Sequence, residues 1–185
     1  TITDRLVALS RALIGRIRGG LAQVNVLVSM FFAGMNGSVV ADTATVGALV
    51  LPAMKKAGYP AAFSAAVTGV SSTIGGIIPP SIMMIVLANA TEISIASLFA
   101  AGIIPGILIG VVIMVINHYF AVKYNFERSD ESFSIRRAGK ELYRSSFALL
   151  IPLVLVGSVM GGVASVVEAG AITAMVALFT GVFVY

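Results

Sequence analysis

Between Gly19 and Met54 the only charged side chain is Asp42, and across residues 57–122 it is only Glu92. Apolar runs of this length cannot solvate the surface of a globule, but they suit hydrocarbon, where charges are costly. The whole 185-residue chain carries 12 Lys+Arg and 8 Asp+Glu, or 11% charged residues, against roughly 25% in soluble domains. With 58% hydrophobic residues and a mean hydropathy of +1.03, it reads as an all-α, multi-pass membrane protein. There is no Cys and only one His, His118, so disulfide frameworks, Cys-ligated zinc, thiol nucleophiles and Ser-His pairs are excluded. The net charge of +4 does not point to nucleic acid, because the basic residues form short clusters between apolar spans. Such clusters mark the cytoplasmic side. The chain lacks a start Met and ends within an apolar run, as expected of a piece of a longer protein.

The basic clusters divide the chain. Residues 1–18 carry Arg5, Arg11, Arg16 and Arg18 beside a stripe of Ile2, Leu6, Leu9, Leu13 and Ile17. This predicts an amphipathic helix at the membrane interface or, alternatively, a solvated helix packed on another domain. From there to Lys55 and Lys56 run about 36 residues, which as one helix would measure ~54 Å against a hydrocarbon core of ~30 Å. Both flanking clusters are basic and the middle is polar and Gly-rich. The prediction over 19–56 is therefore a re-entrant helical hairpin with arms of about 20–34 and 43–54 and a tip near 35–42; two full crossings are the alternative. Over 57–91 the run Ser71-Ser-Thr-Ile-Gly-Gly-Ile-Ile-Pro-Pro-Ser81 predicts a broken transmembrane helix. A transmembrane helix follows at 92–122, then a cytoplasmic loop at 123–144 with a short surface helix striped by Ile135, Ala138 and Leu142. Residues 145–185 read as a further transmembrane helix, about 146–163, and the start of another apolar segment.

Non-helical backbone at membrane depth is tolerated only inside protein or along a cavity, so two breaks in adjacent segments mark a functional site. Broken helices offer N–H groups to an anion and carbonyls to a small cation. Ser38, Thr43, Ser72, Thr73 and Ser81 add hydroxyls of the hard type that suits Na⁺ and other oxygen-ligated ions. The expectation is an ion-coupled anion site near the midplane. Asp42 is the sharpest single residue: it is a cation ligand, a proton carrier, an organiser of the tip, or the N-cap of the second arm. Glu168 is expected to cap the next helix rather than touch substrate. His118 and Tyr119 suit an interface anchor.

The segments Gly37-Ser-Val-Val-Ala-Asp-Thr-Ala44, Pro52-Ala-Met-Lys-Lys-Ala-Gly-Tyr59, Ser72-Thr-Ile-Gly-Gly-Ile-Ile-Pro-Pro-Ser81 and Leu98-Phe-Ala-Ala-Gly-Ile-Ile-Pro-Gly106 together resemble the large membrane subunit of tripartite ATP-independent periplasmic (TRAP) transporters. The resemblance covers essentially the whole chain. It implies an elevator-type secondary transporter with inverted repeats, of which this chain is the middle portion, in the bacterial inner membrane. It implies Na⁺ as the coupling ion and a small organic acid as substrate: a C4-dicarboxylate, sialic acid or another sugar acid. The implied partners are a periplasmic substrate-binding protein, a small transmembrane subunit and the lipid bilayer. Carried onto this sequence, the implied Na⁺ site takes in Asn36, Gly37, Asp42, Thr43, Ser72, Gly75 and Gly76, and the implied substrate site Ser38, Thr73, Pro79 and Ser81. Two positions depart from the family pattern. Gly76 stands where many members have Pro, and Ser165-Val-Val-Glu-Ala-Gly170 keeps only Glu168 and Ala169 of an expected Thr-Pro-Thr-Glu-Ala-Ala.

Two other classes remain beside the coupled carrier. A channel-like or structural membrane subunit shares re-entrant segments without needing a coupled ion. An intramembrane aspartyl enzyme needs a second carboxylate, for which Glu168 is the only candidate, so no enzymatic activity is expected.

Overall fold

The computed structural model describes residues 2–14, 17–126 and 134–183, and all its regular elements there are helical. Arg16 and residues 127–133 of the expected cytoplasmic loop lie outside the described residues. The helices are α1 (Ile2–Ile14), α2 (Gly20–Asn36), α3 (Val39–Lys56), α4 (Ala61–Ser72), α5 (Ile82–Thr91), α6 (Ile95–Lys123), α7 (Ile135–Met160) and α8 (Val166–Phe183). A 3-10 turn, Thr73–Gly76, continues α4. Among the described residues two helices, α6 and α7, are long and apolar enough to cross a membrane.

The hub is α2. It packs against α1, α3, α4, α6, the 3-10 turn and α7, and its buried residues run round all sides of the helix from Gly20 to Gly34. Its apolar members, among them Ala22, Val24, Val26, Val28 and Phe32, form one cluster with Leu6, Val46, Val50, Met54, Val67 and Ile113. The arms α2 and α3 are antiparallel, since Asn25 near the start of one reaches Met54 near the end of the other. The turn between them is only Gly37 and Ser38. Gly37 is left-handed at φ 57° and donates its N–H to Ala33, and the Ser38 hydroxyl accepts from the Ala41 N–H. The non-helical tip is therefore much shorter than the expected 35–42. Asp42 is not the cap of α3 but lies in its first turn, because Ser38 already fills the capping position.

Two other expectations need correction. In α1, Leu6 and Leu9 are buried but Leu13 is 42% exposed, while Ser10, Ala12 and Ile14 are buried instead. The buried face is thus turned from the expected stripe, because α1 packs between α7 and α2. The short surface helix near 135–142 is not separate. It is the first third of α7, which runs unbroken from Ile135 to Met160, with Ile135 80% exposed and an Arg144–Glu141 ion pair at 3.4 Å on the same segment.

One end of the molecule is basic and aromatic. Tyr59, just after Lys55 and Lys56, packs against Phe126 in a tilted pair with ring centroids 4.6 Å apart, and Phe63 meets Phe126 and Phe120. Gly19, next to Arg18, abuts Ala121, two residues before Lys123. Amphipathic rings and basic side chains gathered at one level are the composition of a membrane interface.

Candidate functional site

The two chain breaks meet. The Ile82 N–H, the first of α5, donates to the Gly37 carbonyl at the hairpin tip, 3.1 Å away. A side chain on Gly37 would strike the Pro80 carbonyl oxygen, and its φ of 57° independently favours glycine. A Cβ on Gly75 would sit 3.6 Å from the Ser38 carbonyl oxygen and 3.8 Å from the Asp42 Cβ, and one on Gly76 would lie 3.3 Å from Val39. Glycine at 37 lets the two backbones come this close, while Gly75 and Gly76 border the tip at ordinary and slightly tight contact. Pro79 and Pro80, joined by a cis peptide, are buried behind the tip.

The crossing brings together two helix starts and two helix ends. The starts are those of α3, capped by Ser38, and α5, capped by Ser81, whose hydroxyl accepts from the Met84 N–H. Helix N-termini brought together present positive dipole ends, the arrangement that favours an anion, even where capping serines and the Gly37 carbonyl already take some of their N–H groups. The ends are those of α2 at Asn36 and of α4 with its 3-10 turn, where carbonyls leave the helical ladder and suit a cation. The Ser81 hydroxyl donates to the Gly76 carbonyl at 2.8 Å and ties the two sides of the break together.

Beneath the tip lies Asp42, fully buried, with Ser72 and Ser29 the side chains that face its carboxyl. Neither Asp42 oxygen nor the buried Ser72 hydroxyl makes a hydrogen bond of good geometry, although Ser72 and Ser29 lie near enough to the carboxyl to interact with it. Buried polar groups are nearly always paired, so three under-bonded oxygens in one place form a donor set that suits an oxygen-ligated ion or a water. Thr43 and Thr73 are different. Both are exposed, and their hydroxyls donate back to helix carbonyls, Thr43 to Val39 and Thr73 to Val70. They lie on the outer rim of the crossing, whereas Asp42, Ser72 and Gly75 lie inside it.

A polar seam that sequence reasoning did not single out continues inward from Asp42. The Asn25 amide donates to Thr68 at 2.7 Å and lies 3.6 Å from the Met54 sulfur. The Ser71 hydroxyl, which donates to the Val67 carbonyl at 2.7 Å, lies 3.5 Å from the Asn25 side-chain oxygen, and Ser29 donates to Ser71 at 3.3 Å. A signal existed: Asn25 and Ser29 are one turn apart, and Ser64, Thr68 and Ser71 recur at helical spacing, so each set lines one helix face. Away from the crossing, Glu168 caps α8 as expected. Its carboxylate accepts from the Ser165 N–H at 2.8 Å and the Ser165 hydroxyl at 2.7 Å, while the Ser165 hydroxyl accepts from the Glu168 N–H.

Known proteins resemble this sequence. The family model of the tripartite ATP-independent periplasmic transporter DctM component matches residues 1–185. The C4-dicarboxylate TRAP transporter large permease protein DctM of Pseudomonas aeruginosa is 36% identical over 184 residues, covering 100% of this chain and 43% of its own length. The sialic acid TRAP transporter large permease protein SiaM of Vibrio cholerae is 34% identical, again over 100% of this chain and 43% of its own. The sialic acid TRAP transporter permease protein SiaT of Haemophilus influenzae is 35% identical over 100% of this chain and 30% of its own. The chain thus spans less than half the length of these relatives. With the family model matched from Thr1 to Tyr185, the chain belongs to the DctM family of tripartite ATP-independent periplasmic transporters.

Proposed function

We propose that this chain forms part of the large permease subunit of a Na⁺-coupled secondary transporter that imports a small organic acid across the bacterial inner membrane. The observation that carries this reading is the crossing of hairpin and broken helix over Asp42. Two capped helix starts converge there beside under-bonded oxygens of Asp42 and Ser72. An anion is served by the first feature and a hard cation by the second, and a coupled carrier needs both in one place. The substrate is a C4-dicarboxylate, sialic acid or other sugar acid, in keeping with what the relatives' names state of those proteins. In this reading Asn36, Gly37, Asp42, Thr43, Ser72, Gly75 and Gly76 surround the ion, and Ser38, Thr73, Pro79 and Ser81 the substrate.

The hairpin is read as re-entrant. Its tip meets residues 77–82, and Ile77 and Ile78 lie against Gly102 and Gly106 of α6. The stretch Ile95–Gly102 therefore continues past the tip by roughly 10 Å at 1.5 Å per residue. Both hairpin ends lie at the basic, aromatic end of the molecule, which supports entry and exit on the cytoplasmic side. The expected assembly adds a periplasmic substrate-binding protein and a small transmembrane subunit. The movement is an elevator displacement of the crossing as one body.

The test is uptake in lipid vesicles containing the complete assembly, with the binding protein and candidate acids outside. An inward Na⁺ gradient is expected to drive accumulation. Uptake that is unchanged when choline replaces Na⁺ would instead favour a channel-like or structural subunit without ion coupling.

A further inference from the structure

The Leu98–Gly106 stretch of α6 contributes no side chain to the crossing of hairpin and break, yet it lies directly behind it. A Cβ on Gly102 would strike the Ile77 carbonyl oxygen, and would lie 2.5 Å from the Met84 Cε. A Cβ on Gly106 would strike the Cγ1 of Ile78 and come within 3.5 Å of the Ile78 backbone nitrogen. Both contacts fall on the backbone, or on an atom close to it, of the residues that leave the 3-10 turn. Gly110, one turn further along the same face, is different: a Cβ there would meet only the Met30 side chain, at 2.6 Å from its sulfur. A thioether can swing aside, whereas a peptide carbonyl moves only with its chain.

We infer that Gly102 and Gly106 are positioning residues for the break: by lacking side chains they let residues 77–78 seat on α6, and so fix where Gly75, Gly76 and Ser81 stand. The seat is coupled to the site in two further ways. The Ile77 and Ile78 N–H groups both donate to the Ile74 carbonyl at 2.9 Å, so a push on 77–78 is passed into the 3-10 turn. Ser81 bonds back to Gly76 across the segment, which leaves little slack to absorb the shift. A methyl at 102 therefore displaces the carbonyls and caps of the break rather than a loose side chain. This inference rests on the proposed function for its transport readout, though not for its structural one.

The experiment uses the complete transporter in vesicles and compares Gly102→Ala, Gly106→Ala and Gly110→Ala. Expected is a rise of roughly tenfold or more in the Na⁺ concentration for half-maximal uptake for the first two, as overpacking against backbone costs. Gly110→Ala is expected to stay within about twofold, because Met30 gives way. Abundance and thermal stability are read in parallel, since a general folding defect would lower the maximal rate of all three alike. Adding Ile78→Ala to Gly106→Ala removes the colliding carbon and should restore the half-saturation, and this pair decides the matter if Gly102→Ala does not accumulate. Adding Met84→Ala to Gly102→Ala should not restore it, because the Ile77 carbonyl remains in the way. Equal shifts for 102 and 110, or full rescue by Met84→Ala, would overturn the inference. If wild-type uptake proves independent of Na⁺, the proposed function fails while amide exchange over residues 74–82 still decides the seat. Faster exchange in Gly102→Ala than in Gly110→Ala supports it, and equal exchange overturns it.

Discussion

Helices α2 and α6 lie side by side and are both apolar, yet their surroundings are opposite. α2 buries Gln23, Asn25 and Ser29 along with its aliphatic residues and is enclosed by six other elements. α6 exposes large aliphatic side chains, Ile104 at 76%, Leu108 at 61% and Val115 at 64%. Its buried residues are a single line: Phe99, Gly102, Gly106, Gly110, Ile113, Asn117 and Ala121. The difference teaches which polar groups the fold can carry at depth. Hydrocarbon cannot satisfy a peptide or amide group, so the chain interruptions and the Asn25 seam are confined to the region that protein surrounds. Where α6 is exposed, its large side chains are apolar. Polar contacts tie the two helices at and beside the α6 line, where Gln23 donates to the Met114 carbonyl at 2.8 Å and Asn117 to the Ala22 carbonyl at 3.5 Å.

The largest effect is expected where the enclosed region holds its one carboxylate. Asp42→Ala should lower the apparent Na⁺ affinity of uptake at least roughly tenfold, equivalent to ~1.4 kcal/mol or more of lost ion binding. Asp42→Asn separates charge from shape, since it keeps the volume and removes the negative charge. Wild-type uptake with unchanged Na⁺ dependence in both variants would remove Asp42 from the site. Next is Gly37→Ala, which combines a left-handed backbone with a collision at the Pro80 carbonyl. The backbone part alone costs roughly 1–2 kcal/mol and the overpacking a similar amount. The thermal midpoint of the complete transporter in detergent should fall well below that of Gly58→Ala. Gly58 is also left-handed, at φ 78°, but a Cβ there has open space around it. Equal midpoints would mean that the tip does not press on the break.

The comparison of α2 with α6 is tested most directly by a pair of truncations. Asn25→Ala removes the α2–α4 bond to Thr68 while Thr68 and Ser71 keep their bonds to the Ser64 and Val67 carbonyls, and should cost about 1 kcal/mol, within the range for an interhelical polar contact in a membrane. Leu108→Ala, on the exposed side of α6, should change stability by under about 0.5 kcal/mol, because it leaves no cavity in the protein. Denaturant titration of the complete transporter measures both, and the reverse order would show that α6, not α2, is the enclosed helix.

The positions of charge made much of this fold legible. Basic clusters around Arg18, Lys55–Lys56 and Lys123 bracket the helices because charges are excluded from the apolar spans. Prolines and glycines placed the break after Ser72 because they remove donors and permit unusual backbone angles. Two things were not legible. The tip looked wide because polar residues from Asn36 to Thr43 resemble a loop, but Ser38 caps so early that Asp42 is already helical. The continuity of α7 was hidden for a related reason: Lys140 to Arg144 look like a loop boundary, while charged side chains are compatible with an exposed helical turn that runs straight into an apolar one. The crossing itself depends on contacts between residues some 40 positions apart, such as Gly37 with Ile82, and local patterns carry no such pairing.

The smallest effect is expected at a serine cap away from the crossing. Ser38, Ser81 and Ser165 all start helices, but only the first two stand at the crossing; Ser165 is exposed and pairs with Glu168 at the start of α8. Loss of a serine cap costs about 0.5–1 kcal/mol wherever it occurs, so Ser38→Ala, Ser81→Ala and Ser165→Ala should lower stability to a similar small extent. They should differ in transport. Ser81→Ala also frees the Gly76 carbonyl, whose bond to Ser81 holds the break closed, and so should raise the half-saturating concentration of the acid substrate; Ser165→Ala should leave it unchanged. Measuring uptake and thermal midpoint on the same preparations separates a cap that only starts a helix from one that also shapes a site. An equal loss of transport in Ser81→Ala and Ser165→Ala would mean that capping strength alone, and not position at the crossing, sets the effect.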